Sequence, residues 1–239
     1  MSDDIPIPSL PTFSQLHAQP AISHEMFHTC ANGRRHFSLS FSLFDYCAQS
    51  LEAAPRSSMS HAHRRLLLVW HSRTGLAKQM ADSLERGALS AAHEMGVGPS
   101  HFSLLRRRAA DATIEDVLEA DGFLFCAPEN LASTSGEMLE FFHRSYYPIF
   151  DDAEISRLAG RPYGLAVAAG SDGSSAARQM ARICTGWRLR AVVPDALIVH
   201  NGQPQTAAAI ALPKSLLAGA EERCAELGGI VAATLLLSE

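Results

Sequence analysis

The chain has 239 residues, of which 47% are hydrophobic and 19% charged, and a mass of 25.8 kDa. This composition supplies a real core and excludes disorder throughout, and no run of about 18 uncharged apolar residues offers a membrane span. A net charge of −5 and a pI of about 6.1 offer no global basic field to nucleic acid or anionic lipid.

Composition shifts near residue 59. Residues 1–58 hold ten serines, five prolines, three arginines and no lysine. The stretch 36–44 alternates with strand period, but nothing nearby offers it a partner. Arg34-Arg35 falls short of a twin-arginine export signal because Asp45 interrupts the apolar stretch. Asp3 and Asp4 argue against a transit peptide. Two readings stay open: residues 1–58 are a poorly ordered leader, or they lie upstream of a true start at Met59. Residues 59–239 then form the domain.

Leu66–Trp70 is a continuous apolar run, as a strand buried on both faces requires. His71-Ser-Arg-Thr-Gly75 is a short hydroxyl-rich loop. Leu76, Met80, Leu84 and Ala88 recur every four residues and mark a helix. Residues 101–105 suit an edge strand with one wet face. Ile114, Val117 and Leu118 mark a short helix. Phe123–Ala127 reads as a second buried strand that breaks at Pro128. Met138, Phe141, Phe142 and Ser145 line the next helix. Tyr163–Ala169 is a further central strand. A helix through Met180 and Ile183 stops at Gly186. Leu197–Val199 is a short edge strand, and a last helix runs from about Ser215 to Leu236. Alternating strands and helices require parallel pairing and right-handed crossovers. The expectation is a three-layer α/β sandwich around a five-stranded parallel sheet of order 2-1-3-4-5.

In such sheets ligands bind beyond the carboxyl ends of the strands, where the winding reverses. The loops there are 71–77 and 128–136, with 170–175 beside them. Loop 71–77 offers the hydroxyls of Ser72 and Thr74, the free amides of a helix N-terminus and the charge of Arg73, which suits an anion. An ordinary Ser or Thr N-cap explains the same residues without a ligand. Loop 128–136 reads either as a strand–helix connection or as a flat wall for a ring system, with Gly136 allowing close approach. Gly170 and Gly173 suit positive φ.

Residues Leu66–Leu84 resemble the first strand, phosphate loop and helix of the flavodoxin-like superfamily, itself an instance of the switch-point rule. Ser72-Arg-Thr-Gly-Leu-Ala77 keeps the central Thr-Gly of the carrier pattern T-x-T-G-x-T and replaces its flanks. The segments Ala127–Met138, Gly160–Gly173 and Thr185–Leu189 resemble the branch near NAD(P)H-dependent FMN reductases. The resemblance spans roughly residues 64–237. It implies FMN as cofactor, NAD(P)H as electron donor and a quinone or other small molecule as acceptor. By the same resemblance Ser72, Arg73, Thr74, Gly75, Leu76 and Ala77 hold the phosphate. Pro128, Glu129, Asn130 and Leu131 line the isoalloxazine together with Gly170, Ser171, Asp172 and Gly173. No side chain need be acid, base or nucleophile, because the flavin carries the hydride chemistry.

Other residues attract attention for less. His61, His63 and His71 cluster near the first strand but lack a carboxylate or cysteine at ligand spacing. Arg106-Arg-Arg108 follows the second strand, as a solvated edge or as a contact for a 2′-phosphate. Tyr146, Tyr147 and Trp187 read as packing residues. The five cysteines are odd in number without C-x-x-C spacing, which points to small core residues in a reduced cytoplasm. Three alternatives compete with an FMN oxidoreductase. A one-electron carrier would place aromatics around the ring and be strongly acidic, whereas residues 59–239 carry only −3. A phosphorelay receiver needs acids at the ends of strands 1 and 3, where Trp70-His71 and Ala127-Pro128 supply none. A flavodoxin-like domain without cofactor would serve as a scaffold. A homodimer is compatible with the sequence, which does not set the oligomeric state.

Overall fold

Leu66, Leu67, Leu68 and Val69 are wholly buried, because their strand, β1 (Arg64–Trp70), lies inside the sheet with a neighbour on each side. The computed structural model describes residues 63–151, 153 and 155–238. The expectations for residues 1–58, for a start at Met59 and for His61 lie outside the described residues. β1 pairs in parallel with β2 (Phe102–Arg108) and with β3 (Gly122–Asn130). β3 in turn pairs in parallel with β5 (Pro162–Ala169). Two short strands share the far edge: β6 (Arg190–Ala191) meets the start of β5 and β7 (Leu197–His200) meets its end. The expected order 2-1-3-4-5 therefore holds, with the fifth position split. A two-residue strand, β4 (Ser133–Thr134), brings the number of strands to seven.

The two faces are covered differently. On one lie α2 (Ile114–Glu119), α3 (Gly136–Tyr146) and α4 (Ser174–Gly186). Their core is aromatic: Phe125, Phe141, Phe142 and Trp187 pack with ring centroids 5.1–6.2 Å apart. Trp187, wholly buried, is a core residue, as its position after Gly186 suggests. On the other face α1 (Leu76–Glu94) packs against α6 (Ala220–Leu237), with small residues between them. A Cβ on Gly87 would lie 1.9 Å from the Ala225 carbonyl oxygen, and one on Gly228 would lie 2.0 Å from that of Leu84. Only glycine permits that approach.

Some boundaries differ from expectation. β3 continues through Pro128 to Asn130. The Cys126 carbonyl accepts from the His71 N–H, so Cys126 faces β1. By strand period Pro128 faces the same side, just past the end of β1, where a missing N–H costs nothing. Glu129 and Asn130 then pair antiparallel with Thr134 and Ser133. Arg106–Arg108 belong to β2 rather than following it. Arg106 pairs with Asp82 (2.7 Å) and Glu85 (2.9 Å), and Arg107 with Asp116 (3.1 Å), which supports the reading of a charged edge. Tyr146 and Tyr147 are exposed and pack on each other rather than in the core. α6 begins at Ala220, after Gly219 with φ +78°, and not near Ser215. The segment between β7 and α6 holds a single short helix, α5 (Ala207–Ile210). No helix among the described residues is long and apolar enough to cross a membrane.

Candidate functional site

The carboxyl ends of β1, β3 and β5 deliver loops 71–77, 128–136 and 170–173 to one edge. Loop 71–77 is shaped by Ser72, whose Oγ accepts from the Gly75 N–H at 3.1 Å. Gly75, with φ +96°, is the residue that starts α1, and no side chain caps that helix. The Ser or Thr cap that would explain the loop without a ligand is therefore not what the fold uses. The amides of Leu76, Ala77 and Lys78 have no acceptor within the helix. No acidic residue stands in the first turn of α1, unlike those of α2, α3 and α6. The positive end of this helix is thus not offset by a carboxylate in its first turn, and the same holds for α4. Arg73 is exposed beside it.

Residues 128–136 form a tight hairpin rather than an open connection. Its two-residue turn is Leu131-Ala132, with φ of 52° and 58°. Two positive φ values are the mark of the mirror-image turn that hairpin twist favours, normally built from Asn-Gly. For Leu and Ala the conformation costs about 1–2 kcal/mol per residue. Leu131 at the tip is fully exposed. Gly136 has open space where a Cβ would stand.

Gly173 has φ +70° and starts α4, and a Cβ there would meet Ile198 at 2.8 Å. Gly170 does not adopt positive φ among the described residues. The site of its missing Cβ is approached instead by the Gln205 side chain at 2.8 Å. Asp172 accepts from the Ser174 N–H (2.8 Å) and Oγ (3.0 Å), which holds its carboxyl below the usual range.

Side chains clasp these loops to one another. His71, 5% exposed, sets its Nε2 3.2 Å from Glu137 Oε1, joining the first loop to α3. Burial pushes the His71 imidazole below its ordinary value; Glu137 opposes this, and Arg73 and Arg108 add to it. Glu129 Oε2 accepts from Ser171 Oγ at 2.7 Å, joining the second loop to the third. Gln205 Nε2 donates to the Gly170 carbonyl at 2.7 Å. The segment then returns to the first loop: the Lys214 N–H donates to the Thr74 carbonyl at 2.8 Å, and Gln79 Nε2 donates to the Lys214 carbonyl at 2.8 Å. Residues 203–216 thus form a strap between the third loop and the first.

Five buried side-chain polar atoms have no partner among the described residues. Four of them, His71 Nδ1, Asn130 Oδ1, Thr134 Oγ1 and Ser135 Oγ, belong to the two loops at the switch. The fifth, Trp187 Nε1, lies at the far end of α4. Each such atom costs about 1–3 kcal/mol, and folds retain few of them. Their concentration at one edge sets these two loops apart from the rest of the described residues.

The structure brings the predicted residues of all three loops together. It adds His71, Glu137, Gln79, Gln205 and Lys214, which sequence reasoning missed. His63 and His71 stand at opposite ends of β1, and His63 is engaged by Ser100 and Ser103. Cys126 is buried, its thiol pushed far up by desolvation and its Sγ donating to the Ala77 carbonyl. It is a core residue.

The family described as NADPH-dependent FMN reductase matches residues 75–204, more than half of the chain. No curated protein is a significant match. Among solved structures, an oxidoreductase from Corynebacterium diphtheriae superposes with TM-score 0.53 at 18% identity, over 75% of this chain and 100% of that one. A flavodoxin, WrbA-like protein from Agrobacterium tumefaciens gives 0.52 at 16% identity, over 72% and 97%. A flavodoxin from the domain Archaea gives 0.51 at 15% identity, over 72% and 98%. At these identities the likeness concerns the fold, which is flavodoxin-like. Taken with the family match, it follows that the chain belongs to the NADPH-dependent FMN reductase family.

Proposed function

We propose that the protein is an FMN-dependent oxidoreductase that takes hydride from NAD(P)H and reduces a quinone or another small acceptor in the cytoplasm. The observation that supports this best is the group of unpartnered polar atoms in the two loops at the switch, together with the uncapped start of α1. FMN fits that edge. Its phosphate suits Ser72, Arg73, Thr74 and the amides from Gly75 to Ala77, at the positive end of a helix with no acid in its first turn. Its ring suits the wall made by Pro128, Glu129, Asn130, Leu131 and Gly170–Gly173. When bound, the flavin supplies the hydride chemistry. The chain's residues bind it, orient it and fix the loops around it, and none is required as acid, base or nucleophile.

An oxidoreductase is favoured over a one-electron carrier by what surrounds the ring position. Residues 128–136 and 170–175 contain no Phe, Tyr or Trp. Ala132 and Ser171 are exposed and small, which leaves room for a nicotinamide to stack within about 3–3.5 Å of the accepting atom. The described cysteines Cys126, Cys184 and Cys224 are free and buried, as a reducing compartment allows.

The test is anaerobic stopped-flow spectroscopy of the FMN-loaded protein. NADPH or NADH is expected to bleach the visible absorbance within seconds, and a quinone to restore it. Leu131→Trp should slow bleaching far more than it weakens FMN binding. Absence of bleaching by either nucleotide, in a protein that still relays single electrons from a reductase, would establish the carrier instead.

A further inference from the structure

The chain contains two lysines, Lys78 and Lys214, and eighteen arginines. Lys78 is an ordinary surface residue paired with Asp82 four positions on. Lys214 is not. It is 7% exposed, and its Nζ donates to Ala209 O at 2.9 Å, Gln203 Oε1 at 3.1 Å and Leu212 O at 3.3 Å. Three oxygens for three N–H bonds match the protonated ammonium. All three acceptors are neutral. No carboxylate among the described residues forms an ion pair with Lys214.

A buried charge without an opposite charge is costly, and folds seldom keep one unless something pairs with it. The place of Lys214 says what that is. Its N–H donates to the Thr74 carbonyl, and its own carbonyl lies 3.5 Å from where a Gly75 Cβ would stand. Gln79, in the first turn of α1, holds this register twice over: its Nε2 donates to the Lys214 carbonyl and its Oε1 accepts from the Leu216 N–H at 3.2 Å. The lysine is therefore fastened to the loop whose free amides await an anion. Its side chain reaches roughly 6 Å from its Cα, which puts the charge about one Debye length or less from that loop. Protein rather than water fills much of the space around the ammonium, so screening is weak.

We infer that Lys214, carried by the strap 203–216, is the counter-charge of the phosphate dianion held on loop 71–77, and that it selects phosphorylated flavin over the phosphate-free form. It acts through space, without touching the phosphate, and Gln79 is the positioning residue that keeps it there. This rests on the proposed FMN reading of the site.

The test compares dissociation constants for FMN and riboflavin in the full chain. The parent is expected to prefer FMN. In Lys214→Met, of similar volume and neutral, that preference should fall about tenfold, or about 1.4 kcal/mol; riboflavin affinity should change little. Lys214→Arg should retain the preference. Should Lys214→Met fail to fold, Lys214→Gln serves instead, since it keeps two donors for the strap and removes the charge. A lysine that merely fastens the strap would weaken FMN and riboflavin alike, and an unchanged preference in the neutral variants overturns the inference. A parent that binds neither flavin overturns the FMN reading itself, a different result from a parent that binds FMN with Lys214 playing no part.

Discussion

Gly228 and Gly229 are neighbours on α6, yet the structure assigns them opposite responses to the same substitution. A methyl group on Gly228 would lie 2.0 Å from the Leu84 carbonyl oxygen, 2.8 Å from its carbon and 3.0 Å from its Cα. These are backbone atoms of α1, so no rotamer change relieves the clash. The helices must separate by about 1 Å, and a gap of that size forfeits a quarter to a half of each contact's dispersion energy. The side chains at that interface, among them Leu84, Ala88, Cys224 and Val231, are all buried. Overpacking of this kind costs about 1–3 kcal/mol and sometimes more. The gain from replacing a helical glycine by alanine offsets about 1 kcal/mol. Because backbone atoms are met, the cost lies at the upper end of that range, so Gly228→Ala is expected to lose about 2 kcal/mol net, a fall of about 4–8 °C in melting temperature for a domain of this size. A methyl on Gly229 would meet the Gly87 carbonyl oxygen at 3.4 Å and Ala91 at 3.6 Å, close to ordinary contact. Gly229→Ala should be neutral or stabilising by up to about 1 kcal/mol. Thermal and urea unfolding of the two variants decide the matter. A Gly228→Ala protein as stable as Gly229→Ala would show that the helix pair does not depend on this close approach.

Two further outcomes concern the site. Gly75→Val should impair FMN binding more than Ser72→Ala, by titration of each variant. Valine at φ +96° distorts the whole loop, whereas the serine contributes one bond to the Gly75 N–H, worth about 1 kcal/mol. The second outcome concerns pH. The folded His71 value lies below the unfolded one, so between them the unfolded chain binds more protons. The stabilisation is complete above about 6.5 and is lost as pH falls towards the folded value. Melting temperatures measured from pH 8 to 5 should therefore fall less in His71→Gln than in the parent. They should fall more in Glu137→Gln, because Glu137 raises the folded value. Identical profiles for all three proteins would refute the assignment.

The elements were legible where burial forces a pattern. Leu66–Val69, Phe123–Ala127 and Tyr163–Ala169 are continuous apolar runs because each strand has two neighbours and two covered faces. Leu76, Met80, Leu84 and Ala88 line one face of α1, all buried. Pro128 misled because its effect depends on which side of the strand it faces, a fact fixed by where β1 ends. The turn at Leu131-Ala132 was invisible because its residues are the wrong ones for their backbone. The strap was invisible for another reason. Gln79, Gln205 and Lys214 have the composition of a surface, and only contacts across 35–137 positions of sequence bring them together. The scarcity of lysine was the one signal available.

The two tryptophans stand on opposite faces of the sheet. Trp187 is sealed in the aromatic core at the far end of α4. Trp70 ends β1, one residue before His71, with Arg106 4.9 Å and Arg108 5.8 Å from its ring. Their emission should differ accordingly, blue-shifted for the sealed indole and red-shifted for the half-buried one near two guanidinium groups. Tryptophan emission overlaps flavin absorption, and energy transfer falls steeply with distance, so a flavin at the loop edge quenches Trp70 before Trp187. The protein thus carries its own pair of optical probes, one reporting occupancy of the edge and the other the integrity of the core.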